Sequence, residues 1–129
     1  MIVGFEDFTV EISSEEKYVV DIIIKRFETK VGKSNIVTAD KIAFGLKAHF
    51  GIEFKESRIR KMIQYIRLNN LVSGLVATSK GYFVAQSPDE INDWIESLKS
   101  RENAIRKIRE QAEQHVQRLN GRNVQQSLF

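Results

Sequence analysis

Cysteine is absent from the 129 residues, proline occurs once, and no apolar run comes near the length of a bilayer crossing. Without cysteine there is no disulfide framework, no thiolate zinc site and no cysteine nucleophile, so an intracellular chain is the expectation. A membrane-spanning helix takes about 20 apolar residues, and the first ten residues, MIVGFEDFTV, carry two acids and no basic cluster. Neither a membrane span nor a secretory leader is therefore expected. Histidine is nearly as scarce: His49 and His115 stand far apart, without the spacing of metal ligands. No paired carboxylates, serine-nucleophile motif or glycine-rich dinucleotide turn stands out, so no catalytic residue, metal or cofactor is expected.

What is plentiful is charge, and it is unevenly placed. Residues 1–32 hold 4 basic and 7 acidic side chains, residues 33–86 hold 9 and 3, and residues 87–129 hold 7 and 7. The modest total of +3 thus hides a basic middle flanked by an acidic and a neutral segment. A basic segment of that kind points to an anionic partner.

The hydrophobic spacing predicts mostly helix. Ser13 and Ser14 followed by Glu15 and Glu16 predict a helix from about 14 to 30, with Val19, Val20, Ile23, Ile24 and Phe27 on one face and Gly32 closing the segment. The β-branched run VVDIII leaves a strand open as the alternative. Thr38 caps a second helix, with Ile42, Ala43, Leu46 and Phe50 on its apolar face and Gly51 at its end. Glu56 and Ser57 open a third. There Ile59, Met62, Ile63 and Ile66 form the stripe to be buried, and Ser57, Arg60, Lys61, Gln64 and Arg67 lie opposite. LVSGLVAT and YFVA, separated by Ser79, Lys80 and Gly81, read as a hairpin with glycine in a left-handed turn conformation. Ser87, Pro88 and Glu90 then start a last helix with no breaker before Asn120 and Gly121, on the order of 50 Å long.

Helices in this order, followed by a hairpin, give a fold class of mainly α with a small β-hairpin (α+β). Three stretches, VTADKIAFGLKAHFGI, ESRIRKMIQYIRLNNLV and ATSKGYFVA, carry a resemblance to the winged helix-turn-helix family, especially the small winged-helix proteins common in bacteriophage genomes. The resemblance covers about residues 36–86. It implies that the third helix lies in the DNA major groove and that the hairpin, the wing, touches phosphate or the minor groove. The chemistry agrees, because Arg and Gln carry paired groups that read guanine and adenine edges while Lys mainly neutralises phosphate. The expected DNA-binding residues are Lys55, Arg58, Arg60, Lys61, Gln64, Arg67, Ser79 and Lys80. Glu53 and Glu56, near the helix start, oppose phosphate: either they cap the helix or accept from a cytosine amino group, or they narrow the DNA-binding face.

The last helix carries Ile91, Leu98, Ile105, Ala112 and Leu119 every seven residues, with Trp94, Arg101, Ile108 and His115 at the other heptad position. Trp94, Ile95 and Leu98 are expected to pack on the domain. Beyond Ser100 a partner helix is the simplest cover, so a homodimeric coiled coil is expected, with a helix folded back on its own domain as the alternative.

The chain ends Gln125, Gln126, Ser127, Leu128, Phe129. This QQSLF resembles the sliding-clamp-binding peptide of bacterial and phage replication and repair proteins. In that resemblance Leu128 and Phe129 enter an apolar pocket of the clamp, Gln125 hydrogen-bonds beside it and Ser127 fills the third position; Gln126 departs from the frequent leucine. From average residue usage, Gln-x-[Ser/Asp]-Leu-Phe arises about once in 10,000–100,000 positions; the alternative is a frayed tail, or Leu128 and Phe129 folded back onto the coiled coil. The GKS of Gly32, Lys33 and Ser34 lacks the glycine of a phosphate-binding loop five residues earlier, where Phe27 stands.

The expected organisation is therefore residues 1–12 as an N-terminal segment, 13–86 as a winged-helix domain, 87–119 as a long helix and 120–129 as a flexible tail with the clamp motif. Expected partners are double-stranded DNA, the bacterial DNA polymerase sliding clamp and a second copy of the chain, in the cytoplasm of a bacterial host. The alternatives are a transcriptional regulator with an incidental tail, and a phage inhibitor that occupies the host clamp.

Overall fold

The computed structural model describes residues 11–125. The chain is mainly helical: α1 (Ser14–Phe27), a single 3-10 turn (Lys33–Asn35), α2 (Ala39–Phe50), α3 (Glu56–Leu68), the strands β1 (Leu75–Thr78) and β2 (Gly81–Val84), and α4 (Pro88–Gln125). It divides into two compact units, Met1–Trp94 and Ile95–Phe129. The division falls within α4 and not at residue 86, because the first turns of α4 are tied to the first unit. There Glu90 accepts the backbone N–H of Gln86 at 2.6 Å and of Lys33 at 2.8 Å, which holds its carboxyl below the usual range.

In the first unit α1 and α2 start where a side chain meets their orphan amides. Ser13 and Glu16 form a reciprocal capping box at α1, and the Thr38 hydroxyl accepts from the Lys41 N–H at α2. Helix wins over strand for VVDIII because Val19, Val20, Ile23 and Phe27 then share one face, and all four are buried. The helix stops at Phe27, short of the expected 30, since the chain must turn there. Gly32 donates to the Val84 carbonyl at 2.8 Å and Val84 donates to that of Lys30 at 2.8 Å, so the segment after α1 is drawn alongside β2.

The core joins that face to Ala39 and Leu46 of α2, Ile59, Met62, Ile63 and Ile66 of α3, and Leu75 of β1. Phe27 meets Tyr82 of β2 edge to face, with centroids 6.4 Å apart. Phe50, expected on the buried face of α2, is 43% exposed; it sits in the last turn, with the Arg26 guanidinium 6.0 Å from its ring centre.

The hairpin pairs Leu75 with Val84 and Thr78 with Gly81, antiparallel. LVSG is turn, not strand, so only LVAT pairs. Gly81 has φ 134, outside the left-handed helical region expected for it, and a Cβ there would lie 2.5 Å from the Val37 carbonyl oxygen. Glycine is needed because Val37 and Tyr82 exchange backbone hydrogen bonds of 2.9 and 2.7 Å. Val31 and Val37 thereby bridge β2 on its outer edge.

In the second unit α4 runs through Asn120 and Gly121 to Gln125, past the expected end at 119; neither residue is a strong enough breaker alone to stop a helix. Ile95, Leu98, Ile108, Val116 and Leu119 are between 37% and 66% exposed, so Ile95 and Leu98 are not the core residues expected. Val116, one residue beyond the heptad position of His115, is 56% exposed. Among the described residues no helix is long and apolar enough to cross a membrane.

Candidate nucleic-acid interface

The candidate interface is built on α3, whose buried stripe dictates the rest. With Ile59, Met62, Ile63 and Ile66 inside, the helical period turns Arg60 and Arg67 to one edge of the exposed face. Ser57 and Gln64 fall at its middle, and Lys61 and Arg58 at the other edge. The eight expected residues therefore occupy three settings.

The Lys61–Arg58 edge is clamped to α1. Glu16, only 2% exposed, accepts from the Ser13 N–H, Arg58 Nε and Lys61 Nζ, each at 3.0 Å. Burial alone would raise its carboxyl; the Ser13 N–H and the two cations outweigh that and bring it down to about 2. The Arg58 guanidinium also lies 4.0 Å from the centre of the Phe54 ring and 3.8 Å from Glu15. Both cations keep about two-fifths of their side chains exposed, 41% and 42%, so they face solvent while being held in place.

The other edge faces the hairpin. Arg60 pairs with Glu56 one turn earlier, and the Arg67 guanidinium donates to Gln64 at 3.3 Å and lies 5.8 Å from the Trp94 ring centre. Burial raises the Tyr82 hydroxyl above its ordinary range, while the fields of Arg67 and Arg60 pull it back. These arginines therefore act on the same space as β2. Of the two acids near the start of α3, Glu53 pairs with Lys47 at 3.2 Å and Glu56 with Arg60. Neither caps the helix, whose N-cap, Lys55, makes no side-chain cap.

The third setting is the unpaired periphery. Ser79 and Lys80 are exposed at the tip of the hairpin, where the Lys80 N–H donates to Thr78 Oγ1 at 3.1 Å, fixing the backbone of the turn while leaving the ammonium outside. Lys55 and Lys80 form no ion pair among the described residues. Of the clamp-motif residues, Gln125 is the last residue of α4, and Ser127, Leu128 and Phe129 lie outside the described residues.

Sequence reasoning missed Glu16 as part of this face. Its signal was present in the Ser-x-x-Glu capping box at Ser13, which aims the carboxylate back over the helix start; what no pattern supplied was that α3 crosses there. Among the described residues no cluster of three metal-binding side chains occurs. A scan against family models and comparisons with curated proteins and with solved structures found no match to this chain.

Proposed function

We propose that the protein binds duplex DNA through α3 and the β1–β2 hairpin, in the manner of a winged helix, and is tethered to a bacterial DNA polymerase sliding clamp by its C-terminal Gln-Gln-Ser-Leu-Phe. This places it in phage or bacterial DNA replication or repair, in the bacterial cytoplasm. The observation that supports the reading best is the exposed face of α3, which offers Arg60, Gln64 and Lys61 together with the lysine at the hairpin tip. Arg60 and Gln64 suit base edges, and Lys55, Lys61 and Lys80 suit phosphate. The apolar stripe of α4, with Ile108 66% and Val116 56% exposed, supports pairing with a second copy, which would set two DNA-binding faces on one assembly. A tethered protein needs only weak contacts at each site, because the second binding event is intramolecular.

A second reading draws on the pairing of cations within the protein. Arg58, Lys61 and Arg60 already hold carboxylates, which favours weak DNA affinity and a protein that occupies the clamp pocket as an inhibitor. Duplex-DNA binding measured against salt separates the two. The DNA reading expects a steep salt dependence whose log–log slope drops by about 0.9 for each phosphate contact removed, as in Lys80→Ala, and no duplex affinity at low salt would leave the inhibitor. Titration of residues 120–129 against a bacterial clamp tests the tail, with loss of binding expected on replacing Leu128 and Phe129 by Ala; equal affinity of both peptides would discard the tether.

A further inference from the structure

An apolar groove away from α3 runs between α1 and α2. Its cavity of about 280 Å³ is floored by Ile22, Phe27, Val37, Ile42 and Leu46. That is at the small end for a ligand cleft, typically about 300–1,000 Å³, and suits one or two side chains better than a cofactor. A second hollow along α1 adds Tyr18, Asp21 and Lys25 and shares Ile22, Arg26 and Phe50 with the first. Tyr18 is 61% and Phe50 43% exposed, large aromatic surface for so short a stretch. Four cations, Lys25, Arg26, Lys30 and Lys41, rim the groove, against one carboxyl among the described residues, that of Asp21. None of the four forms an ion pair among the described residues. Gly45 lines the floor, and a Cβ there would meet nothing within 4 Å, so the groove stays open where any other residue would begin to fill it.

The occupant this chemistry selects is an acidic segment with aromatic anchors, and the chain carries one. The ten residues before Glu11, MIVGFEDFTV, hold Phe5 and Phe8 with Glu6 and Asp7 between them and no cation. Reach is sufficient: α1 sets Arg26 about 18 Å from Ser14, while the chain from Phe5 to Ser13 spans up to about 26–29 Å when extended. We infer that the groove between α1 and α2 is a binding site for an acidic, aromatic peptide, and that its occupant is the chain's own residues 1–10. Phe5 or Phe8 fills the apolar floor over Gly45, and Glu6 and Asp7 pair with the lysine and arginine rim. The covalent connection supplies a high effective concentration, so the charge and apolar contacts need not be strong individually.

The test is made on the full chain by NMR, with methyl-labelled Ile and Leu. The expected result is cross-relaxation between the Phe5 or Phe8 ring and the methyls of Ile22, Ile42 or Leu46, with the amides of residues 5–10 protected at least tenfold against exchange. Gly45→Leu, whose Cβ meets nothing within 4 Å and whose longer side chain then occupies the floor, abolishes both signals while leaving the amide protection of α3 unchanged. Lys30→Glu with Lys41→Glu reduces the tenfold protection toward unity. Absence of ring-to-methyl transfer, its survival in Gly45→Leu, or its appearance only between differently labelled chains in a mixture would each overturn the proposal.

Discussion

The apolar stripe of α3 and that of α4 have nearly the same spacing and opposite fates. Ile59, Met62, Ile63 and Ile66 are at most 1% exposed, whereas Ile108, Val116 and Leu119 are 66%, 56% and 40% exposed. Within the first unit α3 has neighbours on two sides, α1 and α2, and its inward stripe joins theirs in one core. Among the described residues, the second unit is a helix segment with no other element of its own to pack against. Periodicity therefore states that a face exists; what covers it depends on how many other faces share the unit.

The comparison breaks most readily at its buried end. Ile63→Ala is expected to destabilise the first unit by about 2–5 kcal/mol, the range for truncating a buried aliphatic side chain, read by denaturant unfolding. Ile108→Ala in the dilute protein should stay within about 0.5 kcal/mol. Equal costs would mean that α4 is covered as α3 is. The same variant at tens of micromolar sharpens the contrast: if two copies pair through α4, sedimentation shows wild-type dimers that Ile108→Ala weakens, and a wild-type monomer ends the pairing idea.

Next in size is the acid dependence of Glu16. Its folded carboxyl titrates at about 2 against an ordinary 4.5, so the ionised form is the one folding favours. Its contribution is full above pH 4.5 and is lost as pH falls toward 2. Because Arg58 and Lys61 are two-fifths exposed, solvent screening holds that contribution to about 1–3 kcal/mol. Unfolding at pH 6 and pH 3 should show the loss in the wild type and a flatter profile in Glu16→Gln. A comparable cost, about 1–3 kcal/mol, is expected for Gly81→Ala, which puts a methyl against the Val37 carbonyl at a positive φ; thermal unfolding reads it. The smallest effect belongs to the second unit again. Glu113→Ala removes the exposed partner of Arg109, 3.3 Å away, and should change stability by less than about 0.5 kcal/mol.

Much of this architecture was legible one element at a time. Ser13 and Thr38 declared their helices because a short hydroxyl side chain is the natural acceptor for orphan amides, and the spacing of Ile59, Met62, Ile63 and Ile66 allowed only one inward face for α3. The hairpin followed from two β-favouring runs around Ser79 and Lys80. Less legible were the ends. Asn120 and Gly121 looked like a stop and are helical, since local propensity costs of about 1 kcal/mol do not by themselves end a long helix. The bridges of Val31 and Val37 to β2 were invisible because VGKSNIVT has no strand alternation; these residues pair through the backbone, which carries no sequence signature. Of the candidate interface, the cations were all legible, and their partners were not. Arg58 and Lys61 read as free neighbours of Arg60, yet they share a carboxylate that lies more than forty residues earlier.

By itself the sequence determined the helices, the buried face of α3, the lysine at the hairpin tip, the concentration of positive charge in residues 33–86 and the terminal Gln-Gln-Ser-Leu-Phe, because each rests on local spacing or composition. Only the tertiary structure decided which cations are restrained by Glu16, that the Arg60–Arg67 edge faces β2, and that a basic-rimmed apolar groove opens between α1 and α2. These are properties of which surfaces meet. Side-chain period places a residue on its own helix, but burial, ion pairing and the depth of a groove depend on the helix that arrives from elsewhere in the chain.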